Sequence, residues 1–283
     1  MKHLSSLLLA AVFLFASCDK IEEKDYLVFS GSTGTWYNST MDIPSTQRAF
    51  LEKYTGVQCK NCPDADEVIH AAMAKYGDQL TVASVHCSDF AIPLRSSDPD
   101  LRTEKGNIWA ETFVGTSPSL PSAMLNRQKN GDNWATFNPK SGFDDKVDAI
   151  LGHTAPIGML IEANEYPNNS LAKVHIQFLE TIEQALTLTV LIIEDDIHTA
   201  QIHGKQQIDD YQQNHVLRSI VTDAWGMDVD ADGKVGTKRM VELEFSLPDQ
   251  CKVANCKMIA FVSYKDSKEI INSVQCGITP ASE

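Results

Sequence analysis

The chain has 283 residues, with 24 Lys+Arg against 38 Asp+Glu, a formal net charge of −14, 43% hydrophobic residues and 7 Cys. That length and apolar fraction suit about two packed domains and exclude a disordered, collagen-like or disulfide-stapled miniature chain. The acidic balance repels phosphate and no basic stripe with interleaved aromatics offsets it, so no nucleic-acid partner is expected.

Residues 1–17 read as an export signal, with Lys2 as the charged start, an apolar run from Leu7 to Ala16, and Ser17 before Cys18. The run is too short for a permanent membrane span. Phe15-Ala16-Ser17-Cys18 resembles the lipobox of bacterial lipoproteins, with Phe15 in place of the usual Leu. The resemblance implies that Cys18 becomes the lipidated first residue and membrane anchor; an ordinary signal peptide is the alternative. Residues 18–45 then form a lipidated tether and an extra N-terminal segment, and the charged run Asp19 to Asp25 is a solvated spacer.

From residue 46 to 154 strand-like and helix-like pieces alternate, as in an α/β domain. Arg48 to Tyr54 reads as a strand, Pro63 to Tyr76 as a helix with Val68, Ile69, Ala72 and Met73 on one face, and Leu80 to Cys87 as a second strand. Asp98 to Phe113 follows as a helix, Ser122 to Asn126 as a strand, Lys129 to Asp132 as a turn, and Phe143 to Leu151 as a closing helix. Residues 155–283 are nearly all strand-like. Runs at Ile157–Ala163, Ala172–Leu179, Leu186–Ile193, His215–Thr222, Met240–Leu247, Met258–Tyr264 and Ile270–Gln275 predict an all-β, immunoglobulin-like sandwich domain.

Cys59-Lys60-Asn61-Cys62-Pro63 joins the first strand to the first helix. At a helix start the free backbone N–H groups and the macrodipole stabilise a thiolate, so Cys59 is the expected nucleophile and Cys62, one turn on, the resolving thiol. Pro63 suits a first helical turn, which needs no N–H donor. Leu120-Pro121 immediately precedes the later strand. Strand, dithiol, helix, strand, helix and X-Pro-strand in this order resemble the thioredoxin-like superfamily, in which a cis proline faces the dithiol and exposes a backbone edge to substrate. Pro121 fits that place better than Pro118. Glu52, on the leading strand, is the candidate proton relay behind the second cysteine; the alternative is a solvent-facing strand-end carboxylate. Two other chemistries compete: zinc held by the pair with His70, His86 or Cys87, and a purely structural disulfide. His86 and Cys87 themselves read as a satisfied core histidine and a core thiol.

Among the remaining cysteines, Cys256 has two candidate partners, Cys251 across a short loop and Cys276 across a hairpin; spacing does not choose between them, and three unbridged buried thiols are the alternative. Asp228, Asp230 and Asp232 followed by Gly233 match the first half of a calcium loop, but the twelfth position is Arg239, so either calcium or a solvated acidic turn fits.

Thr55-Gly56-x-x-Cys59-x-Asn61-Cys62-Pro63, Pro121 with Asn126-Arg127, and Asn214-His215-Val216-Leu217-Arg218 together resemble the twenty-eight-kilodalton outer-membrane lipoprotein family of Gram-negative anaerobes. That resemblance implies an outer membrane lipoprotein, periplasmic or surface-facing, with a thioredoxin-like domain and a β-sandwich, and an adhesin or surface-antigen role has been proposed for the family. His215 reads as a strand-start residue and Arg218 as an exposed charge. Two functions follow from the residues: a membrane-anchored thiol–disulfide oxidoreductase acting on protein disulfides, or a surface binding protein that uses the same fold as a scaffold.

Overall fold

The structure is a computed structural model that describes residues 34–166 and 170–280. The export signal, Cys18 and the charged tether lie outside the described residues. Among the described residues no helix is long and apolar enough to cross a membrane.

The chain enters through strand β1 (Thr35–Asn38) and reaches β2 (Ala49–Thr55), buried at every position. Helix α1 (Cys62–Tyr76) starts one residue before the expected Pro63, buries Ala65, Ile69 and Ala72 on one face, and stops at Gly77, whose φ is 58°. β3 (Leu80–His86) returns parallel to β2. Helix α2 (Glu104–Phe113) starts later than Asp98, because the Thr103 side chain caps it by accepting the Gly106 N–H at 3.0 Å. Arg95–Asp98 and Arg102–Asp100 ion pairs occupy the turns before it. β4 (Ser122–Leu125) runs antiparallel to β2. The expected turn at Lys129–Asp132 is a tight hairpin of β5 (Lys129–Asn130) and β6 (Asn133–Trp134), before α3 (Asp144–Leu151).

The later strands are β7 (Ile157–Glu165), β8 (Ser170–Phe178), β9 (Leu186–Glu194), β10 (Ile197–His203), β11 (Gln206–Gln213), β12 (Val216–Ile220), β13 (Met227–Asp228), β14 (Lys238–Phe245), β15 (Cys256–Tyr264), β16 (Ile270–Gly277) and β17 (Thr279–Pro280). Apart from β10 and β11, which pair only with each other as a separate hairpin, they enter two packed layers, as a sandwich requires. One is a five-stranded sheet in the order β1-β14-β8-β7-β17. The other is an eight-stranded sheet whose main path runs β16-β15-β9-β12-β3-β2-β4, with β13 beside β9. Neither is confined to the later sequence, since β1 edges the first and the second draws in β2, β3 and β4. β12 makes the join, antiparallel to β9 and parallel to β3. β9 is buried along its whole length because both faces and both edges are covered, which explains its near-continuous apolar run.

Three cores result. Met159, Ile161, Val174, Ile176, Val190, Ile192, Met258 and Ala260 fill the space between the two sheets. Leu51, Val82 and Leu125 pack beneath α1 and α3. On the opposite face, Phe50, Tyr54, Val85, Ile193, Leu217 and Phe261 pack under α2.

Candidate functional site

β2 leads into a loop that only glycine fits at its start. A Cβ on Gly56 would stand 2.4 Å from the Phe90 carbonyl oxygen, and that oxygen accepts the Gln58 N–H at 2.8 Å. The loop then turns, with Cys59 N–H donating to the Gly56 carbonyl at 2.9 Å and Cys62 N–H to the Cys59 carbonyl at 3.1 Å. Cys59 and Cys62 are joined as a disulfide at the start of α1. The Leu120–Pro121 peptide is cis, and since Ser122 pairs with Tyr54, Pro121 lies at the same end of the sheet as this loop.

Both sulfurs are closed off. Cys59 is 2% and Cys62 1% exposed, where a nucleophile open to substrate was expected. The cover is the β10–β11 hairpin. Its Ile202 N–H donates to the Val57 carbonyl at 2.8 Å, Gly204 N–H to the Lys60 carbonyl at 2.9 Å, and the buried Gln201 amide to the Cys59 carbonyl at 3.2 Å. His203 pairs with Asp64 on the first turn of α1 at 2.7 Å. Lys140 and His203 together hold the Asp64 carboxyl below the usual carboxylate range. Tyr211 donates to Asp66 at 3.0 Å, and Asp66 also takes the buried Lys53 ammonium. Burial, reinforced by the Asp66 charge, raises the Tyr211 phenol far above its ordinary value.

Glu52 does not stand behind the dithiol. Along β2 it shares a face with Phe50 and Tyr54, which pack under α2, whereas Leu51 and Lys53 face α1. Both Glu52 oxygens accept from Arg127, at 2.6 to 3.2 Å, and the two side chains are each 1% exposed. The Arg127 guanidinium is also enclosed by Trp109, Phe113 and Phe261, whose ring centroids lie 4.4, 4.9 and 4.9 Å away. The buried charged group on the α1 face of β2 is Lys53, paired with Asp66, which also accepts from Tyr211. Parity along the strand was the signal for Lys53; nothing in the sequence brings Tyr211 there.

His86 is buried, and desolvation followed by the Lys53 charge lowers its pKa to about 3. Burial pushes the Cys87 thiol up to about 12, although the Thr55 contact works against it. His70 lies exposed on α1, so it does not gather with His86 and Cys87 around the pair.

The acidic turn disperses its carboxylates. Asp228 takes Lys265 at 2.6 Å, Asp230 takes Arg239 at 2.9 Å, and Asp232 takes the Thr237 hydroxyl at 2.7 Å. The fold moves Cys256 away from Cys276, because Cys276 pairs with Met258. Cys256 stands instead beside Cys251 and Glu194, the three ligand atoms lying within 4.8 Å of one another. Arg218, expected on the surface, is buried against Glu194 at 3.2 Å. His215 has φ 57°, and its ring lies 3.0 Å from Asp195.

Several comparisons bear on the chain as a whole. Its fold is similar to that of HBP35 of Porphyromonas gingivalis, with a TM-score of 0.66 and 19% identity over 86% of this chain and 79% of that one. Protein AGR_C_4864 from Agrobacterium tumefaciens gives a TM-score of 0.53 and 15% identity over 85% of this chain and 98% of that one. A domain of the outer membrane lipoprotein Omp28 from Porphyromonas gingivalis is 22% identical over 45% of this chain and 92% of that one, with a TM-score of 0.31. No curated protein matches. The family model described as Outer membrane protein Omp28 matches residues 114–282, more than half of the sequence. The chain belongs to the Omp28 outer membrane protein family.

Proposed function

We propose that the protein is a lipid-anchored thiol–disulfide oxidoreductase whose dithiol is kept closed by the β10–β11 hairpin. The observation that carries this reading is the Cys59–Cys62 pair at the start of α1, on the loop that leaves a buried parallel strand, with Pro121 at the same sheet end. The run β2, α1, β3, α2, β4 with β2 between β3 and β4 supports a thioredoxin-like first part. Cys18 would supply the anchor. In the reduced protein, the Cys59 thiolate attacks one sulfur of a protein disulfide and expels the other as a thiolate, which takes a proton. Cys62 then gives up its proton and attacks the Cys59 sulfur, which releases the second substrate thiol and restores Cys59–Cys62. The hairpin must lift for either step, so access and not only thiol acidity governs the rate.

The test is iodoacetamide labelling of Cys59 against pH, in reduced protein carrying Cys62→Ser. An inflection near pH 5 to 7, about the range of helix-start dithiols, supports the reading. An inflection at or above about 8.5, the value of an ordinary thiol, refutes it. The burial of both sulfurs favours a second reading, in which the disulfide fixes the loop that seats the hairpin and the protein is a surface binding protein of adhesin type. The same high inflection would support that reading.

A further inference from the structure

A second pair of cysteines meets on the other half of the large sheet. Lys53, Ser84, Val216, Glu194 and Cys256 form one row across β2, β3, β12, β9 and β15. Cys256 therefore stands four strand spacings from β2, about 19 Å. That separation rules out direct exchange with Cys59–Cys62 in this conformation.

Cys251 sits half-buried in a turn after β14, its N–H donating to the Pro248 carbonyl at 2.9 Å. Cys256 is buried at the start of β15. Their sulfurs and a Glu194 oxygen lie within 4.8 Å of one another. Arg218 organises the group: its Nε lies 3.3 Å from the Cys251 sulfur and 3.2 Å from Glu194 Oε2. The other Glu194 oxygen accepts the Lys252 N–H at 2.8 Å, which ties down the loop between the two cysteines. A structural zinc site needs four ligands and tolerates no cation among them. Here only three ligands converge, and a guanidinium already contacts two of them, Cys251 and Glu194.

We propose that Cys251 and Cys256 form a second thiol–disulfide couple, oxidised by low-molecular-weight disulfides through Cys251, with Arg218 as its positioning residue. This goes beyond the Cys59–Cys62 reading and stands without it. The contact from Cys256 and the Arg218 charge hold the Cys251 thiol below its ordinary value, while the same Cys251 contact and burial push Cys256 up. Cys251, half-buried, is thus the more accessible nucleophile and Cys256, buried, the protected resolving thiol. The Cys251 thiolate attacks one sulfur of the small disulfide and forms a mixed disulfide, and the first small thiolate leaves. Cys256 passes its proton to that thiolate and attacks the Cys251 sulfur. The Cys251–Cys256 bond forms as the second small thiolate departs and takes up the proton that Cys251 had lost. One small disulfide is reduced to two thiols, and two protein thiols are oxidised to one disulfide.

The full chain in detergent is equilibrated across glutathione buffers from fully reduced to fully oxidised, quenched with iodoacetamide and digested with trypsin. Cleavage after Lys252 separates Cys251 from Cys256, so their disulfide appears as a linked peptide pair, and Cys59 and Cys62 fall in other peptides. The expected result is a linked pair that forms in oxidised glutathione and disappears in reduced glutathione while far- and near-UV circular dichroism stay native. Cys256→Ser should accumulate a glutathione adduct on Cys251. Arg218→Lys, which keeps the charge opposite Glu194, should raise the inflection of Cys251 labelling and leave that of Cys276 unchanged. Absence of the linked pair in oxidised glutathione overturns the proposal. So does a linked pair that resists reduction until the protein is unfolded, which is a structural staple, and so does stoichiometric zinc that Cys251→Ser abolishes.

Discussion

Replacing Arg127 by methionine removes a cation from the most enclosed ion pair in the described structure. Glu52 and Arg127 are each 1% exposed, with three N–H···O contacts of 2.6, 3.0 and 3.2 Å between them. No water reaches Glu52 to replace the lost partner, so the mutation strands a carboxylate under α2. Breaking one side of such a pair costs about 3 to 5 kcal/mol. The ring contacts with Trp109, Phe113 and Phe261 are lost as well, while the methionine stem recovers part of that packing. The double variant Glu52→Leu with Arg127→Met leaves no stranded charge, and replacing a whole buried pair by apolar groups of similar volume is commonly neutral or stabilising by about 1 to 4 kcal/mol. The structure therefore predicts that the double variant is more stable than Arg127→Met alone, with a coupling of about 3 kcal/mol. Urea unfolding of the parent, both single variants and the double, compared at equal m, measures this. Additive losses, or an Arg127→Met cost below about 1 kcal/mol, would show that the pair is hydrated and that the argument from burial fails.

Three further outcomes follow from the geometry. Tyr211→Phe removes the hydroxyl that reaches Asp66 at 3.0 Å, a bond of about 1 kcal/mol, so reduction of Cys59–Cys62 by a phosphine should accelerate about fivefold; an unchanged rate would show that the hairpin does not limit access. His86 has a folded pKa of about 3 against 6.5 unperturbed, so the unfolded chain takes up a proton that the folded chain refuses. Its contribution is complete above pH 6.5 and is lost as pH falls toward 3, at up to about 1.4 kcal/mol per pH unit, and denaturation midpoints in His86→Phe should lose that slope. Gly56→Ala drives a methyl group into the Phe90 carbonyl and should cost about 1 to 3 kcal/mol, read as a lowered Tm; an unchanged Tm would mean that the loop relaxes freely.

What the sequence made legible was whatever carried a period or a cap. α1 was readable because Pro63 opens it and Ile69 and Ala72 sit at helical spacing; β2, β3, β7, β8, β9, β14, β15 and β16 were readable from apolar runs and alternation. β10 and β11 were missed because their inward positions are polar: Thr199, Gln201 and Gln213 are buried and satisfied by one another and by the dithiol loop. No apolar alternation marks a strand whose partner surface is backbone carbonyls. Arg218 was misread for a related reason, since its counter-charge Glu194 is distant in sequence and adjacent only because β12 pairs with β9. Glu52 was assigned to the right strand and the wrong face, an error that the parity of Leu51 and Lys53 with the α1 core would have corrected.

The placement of β12 has a consequence for how the molecule comes apart. Val216 pairs with Ser84 on one side and Glu194 on the other, so a strand late in the chain supplies the outer neighbour of β3. A fragment ending near residue 154 would leave the buried, apolar β3 as a bare sheet edge, a template for intermolecular pairing. The remainder would lose the strand against which β12 is laid. Neither piece is then a viable refolding unit, and the described residues should melt in a single cooperative step, with limited proteolysis yielding intact protein or small peptides and no stable half.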